Sequence, residues 1–206
     1  MENSICLKIH ELVNQLPEYS YKNIDKVPFN DGIYFLYKKG ETYHAYKRIV
    51  KIGINRENRN FKERLNNHFI KSNHRKSIFL KHLGRVFLNV DNDNYIKYWD
   101  MKSPGKYKDV NKEKKYETKA STYIQHNVTA AVIEVKNMEL RERLEDAIIA
   151  TFNSTSDFKQ SANWLGNNSP IISITNSGMW VVQGLNSNIL TTQEYNILVD
   201  LIKKSK

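Results

Sequence analysis

The stretch GIYFLYKKGETYHAYKRIVKIGI, residues 32–54, decides the fold. Residues 32–39 are aromatic and β-branched, as are residues 45–54, and GETYH between them supplies a turn. The two runs therefore read as a β-hairpin. Upstream of it, Ile5, Ile9, Leu12, Val13 and Leu16 recur at helical spacing, which predicts an amphipathic helix over 4–16 that ends before Pro17. Residues 17–31 form a turn-rich connection. Downstream, 59–71 reads as a helix, and a second short helix over 75–83 stops at Gly84. RVFLNV (85–90) reads as a third strand. The polar, lysine-rich stretch 91–116, with SPG at 103–105, reads as an insertion or flexible loop. A helix over 117–126, a strand over 129–135 and a clear helix over 138–152 follow. Residues 153–187 are rich in Asn, Ser and Gly and read mostly as loop. Thr191 with Glu194 makes a capping box for a last helix over 192–203. The order predicts an α+β domain, with a small, mainly antiparallel central sheet flanked by helices. The expected division is an N-terminal helix and connection (1–30), a main domain (31–187) and a C-terminal helix (188–206).

Composition narrows the class. Hydrophobic residues make up 40% of the 206, enough for a core. A lone cysteine, Cys6, cannot form an internal disulfide and suits a reducing compartment. No apolar run approaches bilayer length, so a cytoplasmic protein is expected. The net charge of +10 is localised. Residues 38–85 hold 14 Lys/Arg against 3 acids, and 101–119 hold 7 lysines against 3 acids. A basic block confined to part of one domain suits a binder of phosphate backbones; polybasic membrane contact would call for an amphipathic helix or lipidation signal, and none accompanies it.

Gly32-Ile33-Tyr34 opens the first strand and Lys51-Ile52-Gly53 closes the second. Phe61-x-x-Arg64-x-x-x-His68 follows, then Leu144-Glu145-x-x-Ile148 and Asn163 in SANWLG. Taken in order, these pieces resemble the GIY-YIG nuclease superfamily over roughly 32–183, with Lys51 standing where the second tyrosine of that name usually lies. KHLG (81–84) and SGMW (177–180) also resemble bacterial members that carry this domain almost alone. The resemblance implies a metal-dependent endonuclease acting through Tyr34, Arg64, His68, Glu145 and Asn163.

The chemistry of the residues can be read beside that resemblance. Phosphodiester hydrolysis requires a deprotonated water, a neutralised phosphate and a stabilised leaving oxygen. Tyr34 is the candidate base. Its free pKa of about 10 must be lowered by a cation, and hairpin pairing offers Lys51. A lysine with a depressed pKa could itself take the proton, so the order of transfer stays open. Arg64 and His68, four residues apart, share a helix face: the guanidinium suits phosphate oxygens and the imidazole suits holding nucleophile or base. On the 138–152 helix, Leu140, Leu144, Ile148 and Thr151 form the buried stripe. Glu145 lies at its edge, whereas Glu142 and Asp146 are expected to face solvent. One carboxylate suffices for Mg²⁺ or Mn²⁺, and no His/Cys cluster for zinc exists. Lys71, Arg75, Lys76 and Lys81 in one block, and Lys102 and Lys106 in the lysine-rich stretch, are candidate DNA-phosphate contacts. Tyr95, Tyr98, Trp99 and Tyr107 suit either base stacking or a small local core. The expected partner is double-stranded DNA, cut at a specific site in the manner of a restriction enzyme, either by a homodimer supplying two active sites or by two sequential nicks. The terminal helices are the elements free to make such contacts. Alternatives are a mobile-element or phage nickase or branched-DNA nuclease, and a non-catalytic nucleic-acid-binding protein.

Overall fold

The computed structural model describes residues 4–56, 60–102 and 104–206. Residues 1–3 of the N-terminal reading and Ser103 of the SPG turn lie outside the described residues. A short helix, α1 (Ile5–Val13), is capped by Ser4 and leads to a two-residue strand, β1 (Glu18–Tyr19). The hairpin then follows as β2 (Gly32–Tyr43) and β3 (Tyr46–Ile54). Three helices come next: α2 (Phe61–Phe69), α3 (Ile78–Val90) and the single turn α4 (Ile96–Trp99). After them lie α5 (Val110–Asn127), β4 (Val128–Glu134), α6 (Met138–Ser154), α7 (Ile172–Ser177) and α8 (Thr192–Lys204).

The sheet is wholly antiparallel, in the order β1-β4-β2-β3. β2 is a central strand with both faces covered, which is why Ile33 to Tyr37 is apolar without alternation. Ile33, Phe35 and Tyr37 pack with Cys6, Ile9 and Val13 of α1, Leu144 and Ile148 of α6, and Leu198 and Ile202 of α8. Tyr34 and Leu36 point the other way, into a second core with Phe61, Leu65 and Phe69 of α2, Leu80 and Leu83 of α3, and Tyr116, Ala120 and Ile124 of α5. The terminal helices therefore spend their apolar faces within the chain and are not free elements.

Two local features place the later site. Register runs Leu36 opposite Lys51 but Tyr37 opposite Ile49, so Val50 is an extra residue in β3. This bulge lets Ile49 and Ile52 share one face although they are three apart. Beyond it, Lys51 and Gly53 lie on the side of Tyr34. The chain also returns along β3 near its C-terminal end: the Trp180 N–H donates to the Val50 carbonyl at 2.7 Å. Arg48 Nη1 donates to the Gly178 carbonyl at 2.6 Å.

Several expectations are corrected. Residues 85–90 are not a strand but the second half of α3, and Gly84 does not stop a helix. A Cβ at Gly84 would lie 2.2 Å from Trp99 Cζ2, so the glycine serves the packing of that indole. The 91–116 stretch is not a plain loop. It contains α4, a 3₁₀ turn at Gly105–Tyr107 and the start of α5. Two of its lysines are tethered: Lys112 Nζ donates to Asp93 at 2.6 Å and Lys115 Nζ lies 3.7 Å from Asp91. Tyr95 and Trp99 are core residues, while Tyr98 and Tyr107 stack with ring centres 4.9 Å apart. Residues 153–187 are mostly loop as expected, interrupted by a 3₁₀ turn and α7. Among the described residues no helix is long and apolar enough to cross a membrane.

Candidate active site

A cleft of about 440 Å³ opens beside β3, between α2, α3, α6 and the returning segment 180–183. Its walls include Lys51, Arg64 and Glu145, three of the residues singled out from the sequence, each from a different element. The stripe Phe61, Leu65 and Phe69 seats α2 on the sheet and leaves Arg64 at the cleft and His68 against the sheet face. α6 buries Leu144 and Ile148, which carries Glu145 to the cleft edge.

Tyr34 and His68 form a buried pair behind this wall. The Tyr34 hydroxyl lies 2.9 Å from His68 Nε2, and His68 Nδ1 lies 2.6 Å from Ser77 Oγ, the cap of α3. Burial holds the His68 imidazole well below its ordinary pKa, and the charges of Arg64 and Lys51 add to the effect, so the ring is neutral. Burial raises the Tyr34 phenol above its usual value, opposed by the Arg64 guanidinium and reinforced by Glu145. The cation favouring the phenolate is thus Arg64, on α2, rather than the hairpin partner Lys51. Gly53 faces Tyr34 across the hairpin, and a Cβ there would lie 2.1 Å from the phenol oxygen. The glycine leaves room for the ring to cross the strand.

Lys51 is buried at the cleft wall, and its Nζ donates to the Trp180 carbonyl at 3.0 Å. Burial draws its ammonium down to about 8, with Arg64 adding to the shift and Glu145 opposing it. Burial likewise pushes the half-buried Glu145 carboxyl up to about 7. Lys51, Arg56 and Arg64 pull it back, and Asp146 pushes with burial. Arg64 borders the cleft without an ion-pair partner among the described residues; its Nε is buried without a hydrogen-bond partner, and the guanidinium neighbours the Tyr34 hydroxyl.

Asn163 is not brought to the cleft; it is exposed in the turn before Leu165. Asp146, expected to face solvent, instead borders the cleft next to Glu145, whereas Glu142 is exposed as expected. Arg56, His82 and Gln183 line the cleft and went unnoticed in the sequence. Only His82, inside KHLG, carried any signal. A second hollow of about 430 Å³ adjoins the first across Arg64 and Ile78 and is bordered by Arg75, Lys76, Lys81 and Lys102. Lys71 and Lys106 are exposed and lie outside it. Arg75 pairs with Glu113 and Lys81 with Asp100, while Lys76 and Lys102 have no acidic partner among the described residues.

The family model described as GIY-YIG domain matches residues 9–206. The chain belongs to the GIY-YIG family. A search of curated proteins returned no match, and neither did a search of solved structures. As a GIY-YIG protein the chain is a nuclease, and its α+β fold with a four-stranded antiparallel sheet is that of the superfamily. In GIY-YIG terms the two name-giving strands are β2 and β3, and Lys51 and Gly53 of β3 lie on the side of Tyr34.

Proposed function

We propose that this nuclease is a divalent-metal-dependent DNA endonuclease that cuts both strands of duplex DNA at a specific site. The observation that carries the reading is the convergence of Lys51, Arg64 and Glu145 from three elements on one cleft, with Tyr34 and His68 behind it. Beside the cleft lies a hollow bordered by Lys76 and Lys102, suited to the flanking phosphates of a strand.

Among the described residues no three His, Cys, Asp or Glu gather into a ligand cluster. The donors at the cleft are the carboxylates of Glu145 and Asp146, hard oxygens that fit Mg²⁺ or Mn²⁺. The Glu145 carboxyl, raised by burial, is the group a cation would return to its charged form. Glu145 would hold the ion, which supplies Lewis-acid polarisation of the phosphate when bound.

Of the two candidates for the proton of the attacking water, Lys51 borders the cleft and Tyr34 is sealed from it. With a pKa drawn to about 8, a fraction of Lys51 is the free amine near neutrality. The free amine would keep one N–H for the Trp180 carbonyl and have a lone pair left to take a proton. Arg64 neutralises the phosphate, and the Tyr34 hydroxyl, itself fixed by His68, helps hold Arg64 in place. Lys51→Arg, which keeps the charge but cannot give up its proton, is expected to slow cleavage about 10²- to 10⁴-fold with DNA binding retained. A rate within a few-fold of wild type would assign the proton to another group.

The deciding experiment is cleavage of long unmodified duplex DNA with Mg²⁺, wild type against Glu145→Ala. Discrete fragments that the variant does not produce support the proposal. A smear removes site specificity, and binding without cleavage by either protein removes the restriction-type reading. A site-specific double-strand cutter also calls for two chains at the target, to be read as a dimer on the DNA by light scattering.

A further inference from the structure

His82 borders the same cleft as Lys51, Arg64 and Glu145, yet the mechanism above makes no use of it. Its surroundings fix its proton. Arg85, one turn further along α3, places Nη1 2.9 Å from His82 Nδ1. A guanidinium has donors and no acceptor, so Nδ1 must be the acceptor and a neutral ring must carry its hydrogen on Nε2. Arg85 is in turn held by Asp100, through Nε at 3.0 Å and through Nη2. A buried arginine clamped by a carboxylate and aimed at one imidazole nitrogen selects a tautomer. The cationic ring is disfavoured as well: burial, then the charges of Lys51 and Arg85, draws the imidazole down to about 3. Nε2 has no hydrogen-bond partner among the described residues, although the side chain is almost wholly buried.

We propose that His82 is a phosphate-contacting residue, whose Nε2–H donates to a non-bridging oxygen of the phosphodiester held in the cleft, with Arg85 and Asp100 as the positioning residues that set its tautomer. The proposal rests on the nuclease reading of this cleft. It assigns a role different from that of Arg64. A neutral donor steadies the charge that builds on the phosphate without tightening ground-state binding as a full cation does. The same tautomer is unsuited to metal ligation through Nε2, because a nitrogen that carries its hydrogen has no in-plane lone pair to offer.

Two measurements test this. Long-range ¹H–¹⁵N spectra of the labelled wild-type chain report which ring nitrogen of His82 is protonated, first alone and then with a short DNA duplex under metal-free conditions. The expected result is the Nε2–H tautomer, with its Nε2 resonance moving when the duplex binds. A proton on Nδ1, or an Nε2 resonance unmoved by bound DNA, overturns the proposal. In single-turnover cleavage, His82→Leu is expected to lose about 100-fold in rate with little change in DNA affinity. His82→Gln, whose amide nitrogen can stand near the place of Nε2, should recover most of that loss. Equal losses in the two variants, or none in either, overturn the role as donor while leaving the nuclease reading intact. Wild-type protein that neither binds nor cuts DNA overturns that reading, and this proposal with it.

Discussion

Gly53 carries no chemistry, yet the position of the phenol depends on it. A Cβ 2.1 Å from the Tyr34 oxygen is far inside contact distance, so alanine at 53 must push the ring away from His68. Gly53→Ala is expected to cost about 1–3 kcal/mol in a urea melt and to lower cleavage with it. An unchanged midpoint would contradict the packing described. Glu145 offers a second test at this scale. Its folded pKa of about 7 stands above the ordinary 4.5, so between those values the folded chain keeps a proton that the unfolded chain has released. That stabilisation is full below pH 4.5 and is lost as pH rises through 7. Glu145→Gln stays neutral throughout. In metal-free buffer its stability relative to wild type should therefore rise by about 1–3 kcal/mol between pH 5 and pH 8. Parallel pH curves for the two proteins would show that the carboxyl is not raised.

The loops behind the site hang on one buried ion pair. Arg48 reaches Glu41 through Nε at 3.0 Å and Nη2 at 2.7 Å, both side chains inaccessible to solvent. Glu41 also accepts from the Ser161 N–H and hydroxyl, and Arg48 donates to Gly178, so the pair ties the hairpin to both returning segments. Glu41→Leu leaves a buried guanidinium without its partner and is expected to cost about 3–5 kcal/mol, with the double exchange Glu41→Leu and Arg48→Met recovering much of it. Equilibrium melts of the three proteins would show whether the loss is that of an orphaned charge. Nothing in the sequence marks Glu41, which reads as a turn residue. The hairpin, α2, α6 and α8 were legible because their periodicity and caps agree with their packing. α3 was not, because Gly84 and the β-branched end of RVFLNV signal a break that Trp99 overrides from fifteen residues away. Asp146 was misplaced for a related reason. A helical wheel knows one buried face, and α6 is met on a second side by the segment around Gly184, where a Cβ would lie 2.8 Å from the Asp146 carboxylate. Lys112 and Lys115 looked unpaired because their counter-charges, Asp93 and Asp91, lie on the far side of α4 in sequence.

Over the whole molecule, buried histidines give the fold an acid limit. His10 Nδ1 donates to the Cys6 carbonyl at 2.8 Å while Nε2 accepts the Ile49 N–H at 3.1 Å, an arrangement that only the neutral ring allows. Burial draws its pKa from 6.5 to about 4. The unfolded chain takes up this proton first, so the stabilisation is whole above pH 6.5 and is lost as pH falls through 4. His10 alone accounts for up to about 3 kcal/mol. His82 and His68 act in the same direction. Urea melts from pH 7 to pH 4.5, in the Glu145→Gln background where the opposing carboxyl is silent, should show stability falling steadily; a flat profile would mean these rings are protonated in the folded chain. The bulge at Val50 bears on how this chain can change over time. Strand positions alternate between two faces, so orientation after the bulge is a matter of odd and even. Deleting Val50 would leave Tyr37 opposite Ile49 and Leu36 opposite Lys51 in plain alternation, so Lys51 and Gly53 would stay on the side of Tyr34. What the deletion removes is the local kink and the Val50 side chain from the second core. The bulge thus gives β3 one residue of slack in length, which descent can lose without turning the reactive edge over.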